Sequence, residues 1–170
     1  TAFLAVPLFA SLWMSPTVRA DDKAAAAPAA AGNASRGFNE LADQALAAMT
    51  KRAEELHIKG VALVARIEGD QVRGWSSKMT VVGSMKNAPS GTDRGANLLA
   101  IAYAKAAEMA ETLKDSGHAG RPPMVGELGY KGGAVAKVAG GYVLAAFSGG
   151  PSSDDYKVSQ AGLQVLSGQP

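Results

Sequence analysis

The apolar run Tyr142-Val-Leu-Ala-Ala-Phe-Ser148 stops at Gly149-Gly150-Pro151 and is followed at once by Asp154-Asp155 and a helical stripe. Seven residues of that kind, bounded by glycines on both sides, read as a buried strand. The turn after it feeds a helix whose first residues are polar and acidic, as a helix start should be. Ser152 is the expected cap, with Asp155 three residues on as a shorter form of the capping-box acid. Val158, Ala161, Val165 and Leu166 form the expected buried stripe. A strand that dives straight into a helix must bury both, so the chain needs a sheet with helices packed on it.

The rest of the pattern supplies that sheet. Ala134 to Val138 precedes Tyr142 to Ser148 across Gly140-Gly141, which predicts a hairpin. Val61, Leu63, Ala65 and Ile67 alternate with Ala62, Val64, Arg66 and Glu68 at strand spacing. Gly69-Asp70 turns the chain, and Val72 to Ser77 is the expected return strand. Met79 to Met85, with Val81-Val82, reads as a third strand of that group. Helical stripes lie between and around these runs. Phe38, Leu41, Ala45, Met49, Ala53 and Leu56 predict a helix over about residues 39–57, with Gly60 as the stop. Leu98, Ala102, Ala106, Met109 and Leu113 predict a second over about 95–115, with Gly117 as its stop. The expected architecture is α+β: an antiparallel sheet of about five strands covered by three helices.

Two N-terminal segments stand apart from this domain, which is assigned to residues 38–170. Residues 2–14 are almost wholly apolar, yet too few for a membrane-spanning helix, which needs about 20. Val18-Arg19-Ala20 then sets small residues where a leader peptidase cuts, so residues 1–20 are expected to be a secretory signal and the protein periplasmic or secreted, with no stable membrane insertion after its removal. Residues 21–37 are alanine-rich, lack any larger apolar side chain and contain Pro28, which reads as a flexible linker.

Composition narrows the chemistry. There is no cysteine, which rules out disulfides, thiolate metal sites, a thiol nucleophile and covalent haem attachment. A net charge of +2 gives no reason to expect nucleic acid as a partner. No serine elbow or phosphate loop is present: Ser148 lacks the Gly-x-Ser-x-Gly setting, and Lys131-Gly132-Gly133 has the wrong order. Glu54-x-x-His57 has the spacing of a di-iron carboxylate motif, but no second copy exists. No catalytic residue is assigned.

Two segments carry a resemblance to a known family. One is Ala102-Tyr-Ala-Lys105-Ala106 in the second helix, and the other runs from Ser148-Gly149 through Asp154-Asp155 to Ala161-Gly162-Leu163. Together they resemble the GlcG/HbpS-like family of haem-binding or haem-degrading domains, and the order of elements agrees from about residue 39 to 167. The first hairpin departs from that family's Asp-x-Gly-Gly turn, having Glu68-Gly69-Asp70-Gln71. The resemblance implies a profilin-like fold, a homo-oligomer and, in some members, a noncovalent haem.

Axial ligands cannot be carried over from the resemblance, so they are chosen by chemistry. The glycine- and proline-rich connection 117–133 holds His118, the candidate iron ligand, with Met124 and Tyr130 as further possible ligands. Arg121 and Lys131 are candidates to pair with haem propionates. The bland alternative for His118 is an exposed loop histidine. His57 suits the C-terminal dipole of the first helix better than a metal. Lys105 is expected to snorkel past the helix edge. The N-terminus of the third helix could hold an anion, although Asp154 and Asp155 already complement its dipole. Trp75 is expected to pack rather than to stack on a ligand. The two functional expectations are a haem-binding protein and a non-enzymatic small-molecule-binding or assembly module without haem.

Overall fold

A computed structural model describes residues 27–168. The expected signal segment, residues 1–20, lies outside them. The described residues are mixed α and β: three helices, a four-stranded antiparallel sheet and a small two-stranded one. In chain order these are α1 (Ala27–Glu55), β1 (Gly60–Glu68), β2 (Trp75–Val82), β3 (Lys86–Asn87), β4 (Ala96–Asn97), α2 (Leu98–Thr112), β5 (Gly133–Val138), β6 (Gly141–Ser148) and α3 (Ser152–Ser167). The main sheet has the order β2-β1-β6-β5.

The centre of the sheet is β1 beside β6, antiparallel, with Val61 opposite Ser148 and Glu68 opposite Gly141. Both strands are covered on both faces, which is why their sequences are apolar at nearly every position. Side chains alternate across a strand, so each strand feeds two cores. Ala62, Val64, Val143, Ala145 and Phe147 pack with Phe38, Met49 and Ala53 of α1 and Val158 and Leu166 of α3. Val61, Leu63, Ala65, Ile67, Leu144 and Ala146 face Leu98, Ala102, Ala106 and Met109 of α2. The result is three layers, with two helices on one face and one on the other.

Several expected boundaries move, each for a local reason. α1 begins at Ala27 and takes in most of the stretch read as linker. Alanine is the best helix former, and Pro28 sits in the first turn, where its missing N–H costs nothing. Residues 21–26 of the expected linker lie outside the described part. Within α1, Leu41 is exposed and Ala42 takes the buried place assigned to it. The return strand is one continuous β2 starting at Trp75, so Val72 precedes it and Met79 to Val82 belong to it rather than to a third strand. Trp75, expected to pack, is instead exposed on the edge strand of the sheet.

The helix stops also differ. α1 closes on His57, whose φ is +55°, not on Gly60. The amide of Ile58 donates to the Ala53 carbonyl at 3.0 Å and that of His57 to Glu54 at 3.0 Å, the paired bonds of a Schellman end. α2 starts after Asn97, whose side chain accepts from the Ala100 amide at 3.0 Å. It stops at Leu113 (φ +52°) instead of Gly117, because Thr112 and Glu108 turn back on the following loop. Thr112 Oγ1 accepts from the Lys114 amide at 3.2 Å, and Glu108 Oε1 from the Gly117 amide at 2.7 Å. In α3 the residue flanking the helix is Pro151, with no side-chain cap, so the expected Ser152 cap is not formed.

A left-handed conformation costs a non-glycine residue about 1–2 kcal/mol. His57 is exposed and makes no other demand on its position. His57→Gly is therefore expected to gain about 1 kcal/mol and raise the melting temperature by about 2–4 °C. Thermal unfolding followed by circular dichroism checks this. A lower melting temperature would mean that the imidazole's contribution at the helix end outweighs the strain.

Candidate functional site

The polar centre of the molecule is a buried ion pair. Lys105 on α2 and Asp155 on α3 are 3% and 5% exposed at their side chains, and the Lys105 Nζ to Asp155 Oδ2 distance is 2.7 Å. Lys105 Nζ also donates to the Phe147 carbonyl on β6 at 2.7 Å. Asp155 Oδ1 accepts from the Gly150 amide at 2.8 Å. Lys105 thus does not snorkel. It spans the end of the sheet and ties the helix of one face to a helix of the other. Asp155 still reaches back as a capping acid would, but to Gly150 and to the ammonium rather than within a Ser152 box.

Burial works against both charges. It lowers the Lys105 pKa and raises that of Asp155, and each partner's charge and hydrogen bond opposes the shift in the other. Gly132, at φ +117°, packs its backbone against the pair. A Cβ there would meet Asp155 Cβ at 2.7 Å and Lys105 Nζ at 3.0 Å, so the glycine-rich connection is glycine here for space as well as conformation. Beside it, Ser159 Oγ donates to the Gly132 carbonyl at 2.6 Å and accepts from the Phe147 amide at 2.9 Å. Ser116 Oγ accepts from the Gly133 amide at 2.7 Å.

The connection 117–132 leaves an open cavity of about 750 Å³ against the start of α3. His118, Lys131, Lys114, Asp115, Ser152 and Tyr156 are among its lining residues. The volume falls within the roughly 300–1,000 Å³ of small-molecule sites. His118 is exposed, its backbone held by a bond from its amide to the Asp115 carbonyl at 3.1 Å. Asp115 is fully engaged: its Oδ1 accepts from the Val135 amide at 3.0 Å and its Oδ2 from the Tyr156 hydroxyl at 3.0 Å. Burial, then the neighbouring Asp115, raises the pKa of Tyr156, so its phenol stays protonated.

The five candidates from the sequence therefore separate. His118 and Lys131 share this cavity. Tyr130 lines a smaller neighbouring one, which Lys131 also reaches. Met124 is exposed and borders neither. Arg121 is already spent. Its Nη1 is 2.7 Å from Glu127 Oε2 and its Nη2 is 2.9 Å from Glu127 Oε1, with Glu111 as a third partner. That bidentate grip, together with the Met124 amide, lowers the Glu127 pKa to about 2 and raises that of Arg121. The residues that sequence reasoning underrated are Lys105 and Asp155. The signal was a lysine on the apolar stripe of α2 together with an acid on that of α3.

Among the described residues no group of three or more His, Cys, Asp or Glu side chains is placed to hold a metal ion. No helix among them is long and apolar enough to cross a membrane. What fold and site define together is a three-layer α+β domain with an open, cationic cavity beside a buried ion pair. No protein-family model, curated protein or solved structure matches the chain.

Removing one partner of a buried pair strands the other charge, at about 3–5 kcal/mol. Lys105→Met should cost that much at neutral pH, and adding Asp155→Asn should recover more than half of it, because the amide oxygen can still accept from Gly150. Urea unfolding of the two variants checks the cycle. In Lys105→Met the loss should shrink as pH falls and the lone Asp155 takes up a proton.

Glu127 makes a separate prediction. Its folded pKa is lowered from 4.5 to about 2, so its contribution is complete above the unfolded value and disappears as pH falls toward 2. Glu127→Gln should be less stable than the parent at neutral pH, with the difference closing between about 4.5 and 2. Urea midpoints measured across that range test it. A constant offset would assign the loss to packing.

Proposed function

We propose that this chain binds a small molecule noncovalently in the cavity beside the start of α3, with haem as the first candidate ligand. The observation that carries the reading is the meeting of His118 and Lys131 on one cavity of about 750 Å³, two residues chosen from the sequence for ligation and for pairing with propionates. The donor set suits a single axial imidazole. A haem bound there would supply its own iron chemistry. The chain's part is to ligate through His118, to pair carboxylates with Lys131 and Lys114, and to offer the Tyr156 hydroxyl beside Asp115 as a fixed polar edge. Met124 borders neither cavity and Arg121 is occupied, so neither belongs to the proposed site. Tyr130 is assigned to the neighbouring cavity.

The same proposal includes the wider setting. The helices on both faces of the antiparallel sheet and the two segments quoted above are consistent with a profilin-like domain of the GlcG/HbpS-like kind, assembled as a homo-oligomer and exported to the periplasm or beyond. A second reading, the same fold binding another small molecule without iron, is favoured by the engagement of Arg121 with Glu127 and Glu111.

The test is a haem titration of the protein followed by absorbance, with His118→Ala alongside. A saturable Soret shift is expected, with affinity lowered about tenfold or more in the variant. Binding unchanged in His118→Ala would move the ligand elsewhere. An absence of saturable binding would leave the reading without iron.

A further inference from the structure

A second cavity, of about 260 Å³, lies on the α2 side of the end of β6. Its wall includes Lys105, Asp155, Ser148, Tyr130, Lys131 and Asn87. It is smaller than the roughly 300–1,000 Å³ of drug-sized sites, and much smaller than the His118 cavity.

Two of its polar groups are buried and not fully used. Lys105 Nζ has three donors, and the structure provides two acceptors, the Phe147 carbonyl and Asp155 Oδ2. Ser148 is 3% exposed, and its hydroxyl makes no hydrogen bond with the described residues. Strand alternation places the Ser148 side chain with Leu144 and Ala146, on the face that α2 covers and where Lys105 arises. Ser148 and Lys105 both line this cavity.

The charge of the wall sets the class of occupant. Lys105 and Asp155 cancel each other, which leaves Lys131 and a net of one positive charge. The remaining side-chain donors are neutral: Ser148, the Tyr130 phenol, Ser152 in the first turn of α3 and the Asn87 amide. We propose that this cavity is a binding site for a small monocarboxylate, held by the Ser148 hydroxyl, the free N–H of Lys105 and the Lys131 ammonium. The site is separate from the His118 cavity and does not depend on the reading proposed for it, although Lys131 and Ser152 line both.

The full chain is titrated with acetate, with pyruvate and with inorganic phosphate, and amide shifts are followed by NMR. Saturable shifts at Ser148, Gly149, Gly150 and Tyr130 are expected with the carboxylates. Ser148→Ala and Lys131→Gln should each lower affinity about fivefold to tenfold. Ser148→Ala should melt within about 2 °C of the parent, which separates a lost ligand contact from a damaged fold. The proposal is overturned if neither carboxylate saturates at about 10 mM, if Ser148→Ala binds as the parent does, or if phosphate binds more tightly than both.

Discussion

The Lys105–Asp155 pair is the interaction on which the arrangement of layers turns. Hydrophobic burial holds each helix to its own face of the sheet, but that attraction has no direction and fixes no register. The ammonium of α2 and the carboxylate of α3 meet past the end of β6, each anchored to backbone there, through Phe147 and Gly150. One geometry satisfies all of these groups. A shift of α2 or α3 along the sheet by a single turn, about 5.4 Å, would leave two charges buried and unpaired. Such a pair adds little net stability, because burial disfavours each charge; what it supplies is a penalty on every other packing.

The same pair explains the composition of its surroundings. Gly132 is required where the connection crosses it, and Ser159 is a small hydroxyl on a helix stripe where a larger apolar residue would be expected. Gly162, one turn further along α3, lets that helix approach Met49 of α1 so closely that a Cβ would collide with the thioether. α3 is thus packed by small and polar residues as much as by Val158 and Leu166.

This is also where the sequence is easiest to misread. Strands and helices are legible because their signals are local: β6 as an apolar run bounded by glycines, β1 as the alternation from Val61 to Ile67, α2 as the stripe Leu98, Ala102, Ala106 and Met109. Boundaries are less so. His57 and Leu113 end helices in a conformation usually left to glycine, and nothing in their side chains announces it. Lys105 looks like a lysine at a helix edge because its partner lies 50 residues away, and pairing over that distance has no local signature. Arg121 fails as a ligand-binding candidate for the converse reason. Its acidic partners, Glu111 and Glu127, are near in sequence, but a loop of this kind gives no spacing rule by which to connect them. His118 and Lys131 emerge together because both belong to one irregular connection whose ends are fixed by α2 and β5.

The sheet order has a consequence for how such a chain comes to be folded. β1 is completed on one side by β2, its neighbour in sequence, but on the other by β6, which begins at Gly141. The closure is therefore non-local, and the loop it must close contains a whole helix and the long connection. Contacts of that range slow folding, because the entropy of closing the loop is lost before the contacts form. A chain emerging from its N-terminus leaves one edge of β1 unpaired until β6 follows. β6 supplies side chains to both cores, so the segment that closes the sheet also completes the packing on its two faces.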